Sequence, residues 1–118
     1  IILFMGGEQK LTYSIEELKR IITPIARKYQ IPVVYLFGSY ARGQADENSD
    51  VDILIEREGS AIKSLFDLGA FYNELNETLG KSVDVVTTDS LNQPDAKRRN
   101  PWFASNICKE RVTIYEGQ

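Results

Sequence analysis

A buried strand that runs directly into a Gly-Ser turn limits the folds open to this chain. Residues 33–37 form the apolar run VVYLF, which predicts a strand inside a sheet. Gly38 and Ser39 follow at once and predict a tight turn. The turn offers backbone N–H groups and one hydroxyl to a phosphate, and glycine permits close approach because it lacks a Cβ atom. Arg42, one helical turn further along the chain, could contact the same phosphate, although the loop could also place it outward.

A second strand is predicted after a polar loop, over residues 50–55. Its side chains alternate, so Asp50 and Asp52 share one face while apolar side chains occupy the other. Two carboxylates on one face, about 7 Å apart along the strand, repel each other when bare. Hard divalent cations prefer such oxygen ligands. This arrangement is what a pair of divalent cations needs, although an Asp-x-Asp strand taken alone is more often plain solvent-exposed surface.

The remaining periodicity predicts helices over residues 14–29, 61–79 and 101–109, and strands over residues 81–87 and 111–115. The first helix begins with the capping-box pair Ser14 and Glu17 and should kink at Pro24. Asp84 lies on the third strand and points away from the core, as Asp50 and Asp52 do.

Several apolar residues are assigned to the core by their pattern. Leu65, Phe66 and Tyr72 fall on the apolar face of the helix predicted over 61–79. Cys108 is expected to be a small core residue, and Trp102 is also assigned to the core. A partly exposed Trp102 would instead mark a partner surface.

Composition narrows the class of protein. The 118 residues suit one domain, predicted over 14–118 after an N-terminal extension of residues 1–13 that is too short to span a bilayer. The formal net charge of −3 makes nucleic-acid binding by this chain unlikely, and the cluster Lys97-Arg98-Arg99 is expected to be solvated. The absence of histidine leaves carboxylates, hydroxyls and amines for catalysis, and a single cysteine fits a reducing cytoplasm.

The stretch over residues 38–53 resembles the signature of the DNA polymerase β-like nucleotidyltransferases. It is most similar to the minimal nucleotidyltransferase branch, whose pattern is GSxARG, a variable loop and SDxDL. The matching residues here are Gly38, Ser39, Ala41, Arg42, Gly43, Ser49, Asp50 and Asp52, with Ile53 in place of the final leucine. The resemblance implies an α/β (α+β) fold, a small mixed twisted sheet with helices packed on one side.

The resemblance also implies a chemistry. Asp50, Asp52 and Asp84 would be the catalytic carboxylates and would hold two Mg²⁺ ions, for which Mn²⁺ can substitute, with Asp84 also helping to deprotonate the attacking hydroxyl. Gly38, Ser39 and Arg42 would bind the triphosphate of ATP. Stand-alone chains of this size resemble MntA-type antitoxins, which transfer AMP to a tyrosine of a HEPN-domain ribonuclease toxin. The implied partner is thus a HEPN-type toxin, and self-association stays open.

Two alternatives remain at this point. The chain could neutralise its partner by contact alone, although three intact carboxylates argue against a dead site. It could instead modify a small molecule, as aminoglycoside-modifying relatives do, although those usually carry an additional helical domain. The sequence identifies neither the acceptor nor the preferred nucleotide.

Overall fold

Short strands alternate with helices along the chain, as the periodicity predicts. In the computed structural model, the described residues are 12–91 and 101–117. The helices are α1 (Ile15–Lys28), α2 (Gly38–Ala41), α3 (Leu65–Leu79), α4 (Thr88–Leu91) and α5 (Pro101–Glu110). The strands are β1 (Val33–Phe37), β2 (Val51–Ile55), β3 (Val83–Thr87) and β4 (Val112–Glu116). Residues 1–11, most of the predicted extension, and the cluster Lys97-Arg98-Arg99 lie outside the described residues.

The strands form a mixed four-stranded sheet in the order β3-β2-β1-β4. Strand β1 pairs antiparallel with β2 and with β4, whereas β2 and β3 are parallel. A parallel pair needs a crossover connection, and α3 supplies it between β2 and β3. The mixed sheet confirms the predicted fold class, and it places β2, which carries Asp52, between two neighbours.

The two long helices pack on one face of the sheet, as predicted. Helix α1 begins at the expected capping box, in which Ser14 accepts from the backbone N–H of Glu17 and the Glu17 carboxylate accepts from Ser14. Its buried stripe joins Phe71, Leu75 and Leu79 of α3 and the inward side chains of all four strands in one cluster. The helix continues through Pro24, which lies inside its bounds.

The opposite face of the sheet is also partly covered. Phe37 and Leu54 pack there with Leu91 of α4 and Ile107 of α5 in a second, smaller cluster. The predicted one-sided packing therefore holds for α1 and α3, whereas α4 and α5 cover part of the other face. The cause is visible in β2, where Leu54 shares its face with Asp52 but is fully buried. One half of that face is apolar and covered, and the other half carries the acidic residues.

Helix α3 begins four residues later than predicted. Ser64 caps it, and Asp67 completes a second capping box by accepting from the backbone N–H of Ser64. Ile62, which the periodicity placed in the helix, is buried in the preceding turn, where its N–H donates to the Ser60 hydroxyl. Gly80 ends α3 in the left-handed conformation, as predicted.

The chain before α1 contributes to the core as well. Tyr13, the last residue of the predicted extension, is buried, and its hydroxyl donates to the Leu79 carbonyl at 2.6 Å. In the part of the chain that the structure describes, no helix has the length and apolarity needed to cross a membrane.

Candidate active site

The predicted Gly38-Ser39 turn is the start of a one-turn helix, α2, that follows β1 without a linker. Gly38 has φ +73°, a backbone conformation that residues with a Cβ atom rarely adopt. A Cβ atom at this position would also overlap Oδ2 of Asp52. Glycine is therefore needed at position 38 because Asp52 lies against it. The predicted approach of a phosphate is a second reason.

Asp52 and Asp84 lie side by side on neighbouring strands. They are register partners in the parallel pair β2–β3, and Asp52 is also the register partner of Phe37 in β1. The order across the sheet is therefore the Gly38 turn, then Asp52, then Asp84. The sequence predicted one shared face, and the structure places these two residues opposite each other on it, close enough for the Asp84 charge to act on Asp52.

The pKa of Asp52 reflects its position beside Asp84. The pKa of the Asp52 carboxyl is raised from its ordinary value of 3.8 to about 6, and burial is the largest cause. Repulsion from Asp84 and, to a smaller extent, from Asp50 contributes to this rise, and the Arg42 guanidinium opposes it. A cation bound at this carboxyl would relieve the repulsion from the neighbouring acidic side chains.

Asp50 lies one residue before β2 and stands apart from this pair. It acts on Asp52 through charge, but within residues 12–91 and 101–117 no three acidic or thiol side chains converge closely enough to hold a metal ion. The structure thus brings together two of the three predicted ligands, and the set of three stays a prediction. The carboxylates of Asp52 and Asp84 are hard oxygen donors, which suits Mg²⁺.

Arg42 lies beside the site and is held by neutral and acidic partners. Its Nε donates to Oε1 of Gln44 at 3.0 Å, and its Nη1 forms an ion pair with Glu110 at the end of α5, also at 3.0 Å. Its charge reaches Asp52, since it lowers the pKa of that carboxyl. Its predicted contact with the triphosphate stays a prediction, as does that of Ser39, which is half-buried at the start of α2.

A groove of about 600 Å³ opens beside the carboxylate pair. Its walls come from β1, β2, β3 and α3, and include Phe37, Asp52, Leu65, Tyr72, Asp84 and Val86. The site is therefore an acidic pair at the side of a largely apolar channel.

Sequence patterns misassigned three exposed side chains of α3, of which Leu65 and Tyr72 line this groove. Leu65, Phe66 and Tyr72 were assigned to the core, but their exposed fractions are 84%, 90% and 42%. The capping box at Ser64 was the available signal, because it places Leu65 and Phe66 in the first turn of the helix, beyond the buried stripe.

Two assignments on α5 are wrong for a similar reason. Trp102 is 74% exposed, and Cys108 is exposed and carries a free thiol. The helix contributes Ile107 to the smaller cluster. The apolar pattern therefore located a helix correctly without identifying the side chain that faces the sheet. The exposure of Trp102 agrees with the alternative of a partner surface.

The fold, the Gly-Ser turn and the paired carboxylates define a nucleotidyltransferase. The family model for the nucleotidyltransferase domain matches residues 18–112, and the chain belongs to this family. The match includes most of α1, the Gly38 turn, both strands of the carboxylate pair and α5.

Relatives that this chain matches over most of their length are named as protein adenylyltransferases. A Methanocaldococcus jannaschii protein named "Putative protein adenylyltransferase" is 49% identical over 102 residues, which cover 86% of this chain and 98% of that protein. Protein adenylyltransferase MntA of Thermococcus cleftensis is 36% identical over 88 residues, covering 71% of this chain and 87% of its own. A toxin-antitoxin crystal structure with AMP-PNP superposes with a TM-score of 0.64 at 21% identity, covering 85% of this chain and 74% of that one, a likeness of fold.

Proposed function

We propose that this chain transfers AMP from ATP to a tyrosine hydroxyl of a HEPN-type ribonuclease toxin and thereby acts as its antitoxin. The observation that carries the proposal is the Asp52–Asp84 pair beside the Gly38 turn. The names of the two relatives, which the chain matches over most of their length, support protein adenylylation. The toxin-antitoxin structure of similar fold supports the kind of partner.

The proposed reaction is a displacement at the α-phosphorus of ATP. The tyrosine oxygen bonds to that phosphorus, the bond from phosphorus to the bridging oxygen breaks, and pyrophosphate leaves. The phenol proton passes to the Asp84 carboxylate, which is exposed and can release it to water. A phenol has a pKa near 10, so it needs a base and a neighbouring positive charge to become a nucleophile.

Other residues of the site would bind the phosphates and the divalent cations. Backbone N–H groups at Gly38 and the Ser39 hydroxyl are suited to hold the leaving phosphates, with Arg42 adding positive charge. Asp50, Asp52 and Asp84 would hold divalent cations, two Mg²⁺ with Mn²⁺ as a substitute. Bound cations supply charge neutralisation at the transferring phosphoryl group. Their binding also removes the repulsion within the carboxylate pair.

The test uses the protein with the product of the neighbouring reading frame. The two are purified together and incubated with ATP labelled at the α-phosphate, with and without Mg²⁺. We expect label on the partner only when Mg²⁺ is present, and loss of the label when the modified tyrosine of the partner is changed to phenylalanine.

Two outcomes would contradict the proposal. Label that persists on the partner after the tyrosine is removed would place the acceptor elsewhere. A partner that is silenced equally by the wild type and by the Asp52→Asn variant, without label in either case, would identify a contact-only antitoxin.

A further inference from the structure

We infer that the groove between β3 and α3 is the docking site for the acceptor, and that it takes a segment of a partner protein with a tyrosine between apolar neighbours and a basic flank. The inference rests on the proposed function and adds to it the surface and the chemistry of the partner segment.

The direction of attack places the acceptor in this groove. In phosphoryl transfer the attacking and leaving oxygens lie roughly in line on opposite sides of the phosphorus. With the leaving phosphates at the Gly38 turn, the sheet register puts Asp52 next and Asp84 beyond it. An attacking hydroxyl then enters from the Asp84 side. That side is where the groove lies, since both carboxylates are part of its wall.

The walls of the groove suit an aromatic segment. Leu65 is 84% exposed and Tyr72 is 42% exposed, and both line the groove together with Val86. Two large apolar side chains left in water at the mouth of a reactive site are typical of a surface that a partner covers. A volume of about 600 Å³ accommodates a tyrosine side chain and its apolar neighbours.

The charge of the groove indicates the flanking residues. Asp52 and Asp84 are the charged side chains in its wall, and no lysine or arginine lines it among the described residues. When two Mg²⁺ and ATP are bound, their charges cancel, so the carboxylates still leave this end of the channel acidic. An acidic end on an apolar channel attracts positive charge and repels negative charge. The complementary ligand is therefore an apolar segment with a tyrosine and a basic residue beside it, and an acidic segment of equal hydrophobicity fits poorly.

The test measures binding and transfer separately, using two pentapeptide probes, RLYLR and ELYLE. Leu65→Glu places a charge in the groove, and Phe66→Glu places the same charge on the neighbouring residue, which is 90% exposed and does not line the groove. Both changes fall in the first turn of α3, where a negative charge is compatible with the helix. Thermal melts check that both variants are folded, and Leu65→Ser provides an uncharged second variant.

The expected result is that RLYLR binds the wild type about tenfold more tightly than ELYLE, a difference of about 1.4 kcal/mol. We expect Leu65→Glu, and to a smaller extent Leu65→Ser, to weaken RLYLR binding, and Phe66→Glu to leave it unchanged. Mg²⁺ with ATP should not displace the peptide, because nucleotide and acceptor occupy opposite sides of the phosphorus.

The inference is overturned if RLYLR does not bind the wild type, or if Leu65→Glu binds it equally well. Displacement of RLYLR by Mg²⁺ with ATP would assign the groove to the nucleotide and would also overturn it. So would a dimer of the chain that dissociates in Leu65→Glu, since a second copy would then fill the groove. Leu65-dependent binding of RLYLR with no AMP transfer to peptide or partner supports the groove and contradicts the proposed function.

Discussion

At the scale of single residues, Gly38 and Asp52 depend on each other. The carboxylate of Asp52 occupies the space that a Cβ atom at position 38 would need. The turn that is proposed to hold phosphates and the carboxylate that is proposed to bind a cation are thus in direct contact. A change at either residue disturbs both functions.

Two glycines with nearly the same positive φ allow this contact to be distinguished from backbone strain. Gly38 has φ +73° and Gly43 has φ +72°, but a Cβ atom at Gly43 would meet nothing within 4 Å. We expect Gly43→Ala to cost about 1 kcal/mol of stability from backbone strain alone and to leave ATP affinity unchanged. Gly38→Ala should cost more and also weaken ATP binding, because Asp52 must move. Denaturant unfolding and calorimetric titration with ATP and Mg²⁺ measure both effects, and equal behaviour of the two variants would contradict the account.

The raised pKa of Asp52 predicts how metal-free protein responds to pH. Its folded pKa of about 6 lies above its ordinary value of 3.8, so the folded state binds the proton more tightly. The resulting stability is fully present below pH about 4 and is lost as the pH rises through about 6. Allowing for solvent screening, the loss is about 1–2 kcal/mol.

Thermal melts in a chelating buffer between pH 4 and pH 7 test this directly. The melting temperature of the wild type should fall over this range relative to that of Asp52→Asn. A pH dependence that is identical in the two proteins would show that Asp52 titrates normally.

At the scale of helices and strands, the capping boxes of α1 and α3 can be compared by the same substitution. Ser14 caps α1 at a distance from the groove, whereas Ser64 caps α3 and immediately precedes Leu65 in the groove wall. We expect Ser14→Ala and Ser64→Ala each to cost about 1 kcal/mol of stability. Only Ser64→Ala should also weaken binding of the RLYLR probe, because the first turn of α3 frays. Equal probe binding by both variants would mean that the order of this turn does not matter for docking.

The sequence predicted most elements because local signals and tertiary packing agree in them. Strand β1 was predicted to the residue, and α1 and the end of α3 at Gly80 follow from capping chemistry. The start of α3 was wrong because its apolar residues continue on both sides of Ser64, so periodicity alone does not mark the boundary.

At the scale of the whole molecule, the chain distributes its apolar side chains between its own core and an open surface. Periodicity reports that a residue is apolar, and it does not report whether the chain itself or another molecule covers it. Leu65, Phe66, Trp102 and Cys108 were misassigned for this reason. The pairing of Asp52 with Asp84 was also beyond local patterns, because it depends on the register of parallel strands.

The central claim is that the carboxylate pair carries out AMP transfer, with Asp84 acting on the acceptor rather than on ATP. Intact-mass spectrometry of the co-purified partner after incubation with ATP and Mg²⁺ tests it most directly. The account predicts that the partner gains the mass of AMP with the wild type and gains none with Asp84→Asn, while that variant still binds ATP. A partner that gains AMP equally with Asp84→Asn, or gains none with the wild type, would contradict it.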